Sequence, residues 1–272
     1  MTAPVLTPTA PADELVVDTP PDPVASKLRR SERLRLLVQP VAAVLLAAGV
    51  LIWGLGFREV TATEKATLNL SSIGMRVAQH LEITFVVAAI VVIVGVSLGI
   101  AVTRPALTWL APVFIGLANI GASAPAIGLL VLYYLAINDG GFWTGVLPIA
   151  FYALLPVLRN TILGVQEVSE TLIDAGRGQG MSNATILRKI EFPLAVPYIL
   201  AGLRTSLVLA VGTATLSFLV GAGGLGILID TGYKLNDIVT LVIGGVLAVS
   251  LALLVDWLGA LAEQFLGPKG LR

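Results

Sequence analysis

The chain has 272 residues, of which 56% are hydrophobic and 12% charged, with 28 glycines besides. Soluble domains carry about 25% charged residues, so this composition cannot cover a water-soluble globule and places most of the chain in a membrane. Lys plus Arg and Asp plus Glu each total 17, which gives a basic nucleic-acid surface no support. The lack of cysteine excludes disulfides, thiolate metal sites and cysteine nucleophiles, and the single histidine, His80, excludes a multi-histidine metal centre.

The first 26 residues hold six of the 15 prolines, four acids and nothing periodic to bury. Such a segment cannot offset its ordering entropy, so a disordered cytoplasmic tail is expected over 1–36. It closes on Lys27, Arg29, Arg30, Arg33 and Arg35 and runs into the apolar stretch Val38 to Phe57. Basic then apolar is also the grammar of a signal peptide, but the basic region is too long and the apolar run long enough to span, so a retained first helix over 37–58 is expected.

Uncharged runs of spanning length follow at Ile83 to Thr103, Ala106 to Ile137, Phe142 to Leu158, Leu194 to Leu219 (interrupted by Arg204) and Ile238 to about Ala262. The expectation is an all-α polytopic membrane protein with six spans. With the N-terminus inside, twelve Lys and Arg fall on the cytoplasmic side, including Arg104, Arg159, Arg177, Arg188 and Lys189. Four fall outside, at Arg58, Lys65, Arg76 and Lys234, so both termini, including 266–272, are expected in the cytoplasm. Trp53, Trp109, Trp143 and Trp257 sit near span ends, as interfacial belt residues do.

The third run is too long for a simple span. Its 32 residues would make a helix of about 48 Å against a hydrocarbon core of about 30 Å. Pro112, Gly116, Asn119, Gly121 and Pro125 are the available breakers. Broken backbone at membrane depth survives only where protein or a water-filled cavity covers it, which makes Asn119, Ser123 and Pro125 candidates for lining a pathway; an interfacial helix leading into an ordinary span is the alternative.

The polar interval 159–193 is too patterned for a passive connector. Leu163, Val165, Val168, Leu172 and Ile173 recur at helical spacing, as do Ile186, Leu187 and Ile190, and Gly176 to Gly180 permits a sharp turn between them. Ser182 or Asn183 can cap the second helix. Two short helices lying against the inner membrane face are expected.

Asp174-Ala175-Gly176, then Gly180, Ile190 and Pro193, resembles the EAA signature of ABC-importer permeases. Here Asp replaces Glu and Gly replaces the second Ala. Ala153 to Thr161, Gly180-Met181-Ser182, Phe192 to Pro197, Ala201 to Thr205 and Gly221 to Gly226 are similar to the osmoprotectant branch, permeases for glycine betaine, carnitine, choline or proline betaine. The resemblance covers about 80–265 and implies a type I importer permease core in the bacterial inner membrane. In it, a cytoplasmic coupling-helix loop over 166–193 docks on a partner ATPase through Asp174, Ala175, Gly176, Gly180, Met181, Ser182, Ile190 and Pro193. It also implies two ATPase subunits, a second permease copy or paralogue, and an extracytoplasmic binding protein. The chain has no G-x-x-x-x-G-K-[ST] loop, so it is expected to bind no cofactor and catalyse nothing itself, leaving ATP and Mg to the partner ATPase. A methionine or sulfonate permease would share the loop. A secondary transporter should show internal repeats, and an intramembrane enzyme a catalytic dyad.

Gly221-x-Gly223-x-x-Gly226 matches a dinucleotide fingerprint but lacks a βαβ context, and is expected to be a flexible turn near an outer gate. Gly95-x-x-x-Gly99 and Gly141-x-x-x-Gly145 suggest close helix approach. Arg204 and Asp256 are intramembrane charges, for which pairing is favoured over substrate contact. His80 and Glu82 are expected at the outer interface in solvent.

Overall fold

The computed structural model describes residues 23–56 and 68–267, and among these every element is helical. Helix α1 (Pro23–Gly56) is followed by α2 (Leu70–Val102), α3 (Ala111–Ser123), α4 (Ala126–Ile137) and α5 (Phe142–Gln166). Next come α6 (Glu170–Gly178), α7 (Asn183–Ile186), α8 (Phe192–Thr213), α9 (Gly226–Lys234) and α10 (Ile238–Leu266). Because α1 begins at Pro23, residues 23–36 are helical and not part of a disordered tail; residues 1–22, Arg58, Lys65, Lys269 and Arg272 lie outside the described residues.

Helices α1, α2, α5, α8 and α10 are each long and apolar enough to cross a membrane, and the α3–α4 pair makes a sixth if counted as one broken span. That pair bends by 103°. Pro125 causes the break: its ring disfavours helical geometry at the preceding residue, and Ala124 is extended at φ −72°, ψ 144°. Each arm, at 13 and 12 residues, reaches about 20 Å, short of the hydrocarbon thickness.

Helix ends differ from the hydropathy boundaries because capping polar residues set them. The Asn69 side chain accepts from the Ser72 amide at 2.7 Å, so α2 starts thirteen residues before the apolar run at Ile83. The Asp237 carboxylate accepts from the Val239 and Thr240 amides and starts α10.

The centre of the molecule is α5 packed along α8, with α2 against both and α1 against α10. Ile83, Val87 and Val91 of α2 meet Val146, Ile149, Ala153 and Val157 of α5 in one buried cluster. Lipid supplies no hydrophobic force between helices, so close approach by small residues matters. A Cβ on Gly95 would lie 2.9 Å from Val157, and one on Gly99 2.7 Å from Thr161, so this pair seats α2 on α5 as expected. A buried bond from the Ser206 hydroxyl to the Ala153 carbonyl, 2.7 Å, fastens α8 to α5.

Candidate functional site

The polar interval folds differently from two separate helices. Helix α5 runs on to Gln166, and α6 follows with Glu170 in its first turn and Arg177 in its last, each matching the helix dipole. The second segment is no independent helix. Ser182 caps α7, its hydroxyl accepting from the Thr185 amide at 3.3 Å, and α7 continues through a π-helical turn, Leu187–Glu191, directly into α8.

Between α6 and α7 the chain reverses at Gly180, whose φ is +80°. The Met181 amide bonds to the Gly176 carbonyl at 3.1 Å and the Gly180 amide to the Arg177 carbonyl at 2.9 Å, which is the Schellman arrangement. A side chain is disfavoured at Gly180 by the left-handed backbone. Gly180→Ala is expected to weaken the turn by about 1 kcal/mol and Gly180→Asn by less. Hydrogen exchange of the 170–182 amides checks this: faster in the Ala variant, nearly unchanged in the Asn variant.

Gly176 is buried, and a Cβ there would lie 3.0 Å from Ile190 Cδ1 and 3.4 Å from Ile186 Cγ1. The glycine at the second Ala position of the signature therefore lets α6 lie close on that isoleucine pair. Asp174 and Ala175 are exposed on the opposite side, Asp174 accepting from Arg177 at 3.0 Å, with Ser182 also exposed and Met181 and Pro193 half-buried. The result is a compact block, fixed on α8, that presents a polar and small-residue face outward.

The segment around the break is less enclosed. Ser123 and Pro125 are exposed, while Asn119 is half-buried and accepts from Arg159 Nη2 at 3.1 Å, linking α3 to α5.

Arg204 and Asp256 meet in a bidentate pair, Nε to Oδ1 at 2.6 Å and Nη2 to Oδ2 at 3.0 Å, and Arg204 Nη1 also reaches Glu263 Oε2 at 3.1 Å. Gln39 of α1 donates to Asp256 Oδ2 at 2.7 Å and to the Leu253 carbonyl at 3.0 Å. Trp257 donates to the Leu36 carbonyl at 2.8 Å, so this tryptophan binds α1, while Trp53, Trp109 and Trp143 are exposed as belt residues are. These contacts tie α1, α8 and α10 together. Gln39 is legible in the sequence only as a lone amide within the first apolar run.

Two expectations for the α2 start and the glycine segment are corrected. His80 is fully buried, not solvated: its Nε2 lies 2.9 Å from the Val211 carbonyl, and the Leu225 amide points at its Nδ1 at 3.4 Å. An amide can only donate, so Nδ1 accepts and Nε2 carries the hydrogen. The segment 221–226 is no flexible turn, since residues 222–226 are buried. Gly221, Gly223 and Gly224 hold φ of +78°, +92° and +93°, and the Gly223 carbonyl accepts from Ser217 while the Gly224 amide donates to Gln79. Glu82 is exposed, as expected.

Residues 95–267 match the model of the binding-protein-dependent transport system inner membrane component family. The chain is 35% identical over 197 residues to the Bacillus subtilis glycine betaine/carnitine/choline transport system permease protein OpuCB, covering 72% of this chain and 89% of that one. It is 36% identical over 198 residues to the Salmonella typhimurium osmoprotectant import permease protein OsmW, covering 71% and 91%. Among solved structures, a chain of the MetNI methionine ABC transporter in inward-facing conformations superposes with a TM-score of 0.62 at 26% identity, covering 72% of this chain and 96% of that one. By sequence along most of its length and by fold, the chain is a member of the binding-protein-dependent transport system inner membrane component family, the permeases of ABC importers.

Proposed function

We propose that the chain is the permease half of an ATP-driven importer for a quaternary-amine osmoprotectant: glycine betaine, carnitine, choline or proline betaine. The observation that carries this is the 35–36% identity spanning about nine-tenths of permeases named for such solutes. Methionine is disfavoured as cargo, since the likeness to the methionine transporter stands at 26%.

In this reading two permease subunits enclose the pathway, both termini lie in the cytoplasm, and an extracytoplasmic binding protein delivers solute. Two ATPase subunits holding ATP and Mg dock on the block 170–193. The exposed Asp174, Ala175 and Ser182 face the ATPase groove, Gly180 and Met181 shape the turn, and Gly176, Ile190 and Pro193 set the block against α8. Asn119, Ser123 and Pro125 line the pathway at the break in the span. Arg204 and Asp256 hold helices together and leave substrate alone, their hydrogen-bonding edges being engaged with each other.

The test is uptake into proteoliposomes carrying the permease with its ATPase and binding protein. ATP-dependent accumulation of labelled glycine betaine, carnitine or choline, unaffected by excess methionine, is expected. Accumulation of methionine alone, or uptake driven by an ion gradient without ATP, overturns the reading.

A further inference from the structure

Glu191 is 7% exposed, the one buried acid among the described residues, and it sits on the π-helical turn that joins the 170–191 block to α8. Its Oε2 lies 2.7 Å from Arg104 Nη2. Arg104 comes from a different part of the chain, the turn after α2 that leads into α3. There its guanidinium is also held by the Thr103 hydroxyl at 3.0 Å and the Ile100 carbonyl at 3.4 Å. The contact is a close pair of opposite charges, and Glu191 Oε2 has no other polar partner among the described residues.

The block is joined covalently only to α5 and α8. We infer that the Arg104–Glu191 ion pair is a third, non-covalent attachment that carries movement of the block to the junction of α2 and α3, and through α3 to the break in the span at Ala124–Pro125. Three features support transmission over simple bracing. The charge of Glu191 is desolvated, so separating it from Arg104 is costly and the two ends move together. The partner carbonyl of Arg104, Ile100, lies in the last turn of α2 and the partner hydroxyl, Thr103, is that helix's C-cap, so a pull on the guanidinium acts on the helix end and not on a free side chain. The turn around Glu191 is π-helical, an irregularity that gathers at functional positions and not at plain struts. Arg104 and Glu191 are thus positioning residues for coupling, with no contact to solute or nucleotide.

This rests on the importer reading, and the experiment separates the two. Wild-type chain, Arg104→Lys, Glu191→Gln and the swap Arg104→Glu/Glu191→Arg are each purified with the ATPase and assayed, with the binding protein present, in proteoliposomes for solute moved per ATP hydrolysed. Failure of the wild-type chain to bring the ATPase with it, or to transport, defeats the importer reading itself. Given a working wild type, Glu191→Gln is expected to keep ATPase association and hydrolysis while solute moved per ATP falls about tenfold, within the range that coupling residues command. Arg104→Lys should lose less, and the swap should recover part of the ratio lost by Glu191→Gln. An unchanged ratio in Glu191→Gln overturns the inference. So does loss of ATPase association in both Glu191→Gln and Arg104→Lys, because the pair would then shape the docking face and transmit nothing.

Discussion

Gly226→Ala is expected to be the most damaging single methyl added to this protein. Gly226 is buried at the start of α9, and its backbone φ is ordinary, so the obstacle is steric. A Cβ there would overlap the Thr215 carbonyl oxygen and come within 2.7 Å of the Phe218 ring. A flexible side chain can move aside, but Thr215 belongs to the 3₁₀ turn Ala214–Val220. That turn is pinned by the Ser217 hydroxyl to the Gly223 carbonyl at 2.9 Å and by the Gly141 amide to the Val220 carbonyl at 2.7 Å. Overpacking costs about 1–3 kcal/mol where neighbours yield, and here the neighbour is backbone. The variant should lose at least that much, seen as a lowered unfolding midpoint in detergent or failure to accumulate. Gly245→Ala on α10 is the control: nothing lies within 4 Å of its Cβ position, so its midpoint should hold or rise slightly. Equal midpoints for the two variants contradict the packing described.

The second large effect is at Arg204. Asp256→Ala removes the bidentate partner of a guanidinium that is 21% exposed within a span and takes from Gln39 one of its two acceptors on α10, leaving the Leu253 carbonyl. Breaking one side of a buried pair costs about 3–5 kcal/mol, whereas replacing both charges by apolar groups is often neutral. Glu263 still reaches Arg204 at 3.1 Å, which places the expected loss at the low end, about 3 kcal/mol. Arg204→Met/Asp256→Leu should recover most of it. Unfolding curves together with uptake decide between a strut and a solute contact. A double variant that is stable and still transports supports the strut, and one that is stable but transports nothing contradicts it.

Much of the architecture is readable from run length and breakers. A 32-residue uncharged run has to bend, and of its breakers Pro125 acts through the residue before it. The glycine turn and the Ser182 cap are likewise local, since their partners lie within five residues. What escapes the sequence is set by distant partners. His80 stands at the edge of an apolar run and looks interfacial, but it is buried because Val211 and Leu225, more than 130 positions away, close over it. Glu191 counts as one more loop charge until Arg104 of another helix is placed beside it. The glycines at 221–226 suggest freedom, whereas three of them take positive φ in order to pack, and their carbonyl and amide are fixed by Ser217 and Gln79.

An importer permease of this kind needs its ATPase docked on the block 170–193. The chain has no cysteine, so a single introduced thiol reports unambiguously. Ala175→Cys and Ser182→Cys, both on the exposed face, should each form a cross-link to the partner ATPase in the assembled transporter, while Leu132→Cys on the exposed side of α4 should form none. No cross-link from either loop position in a complex that still transports would contradict the account.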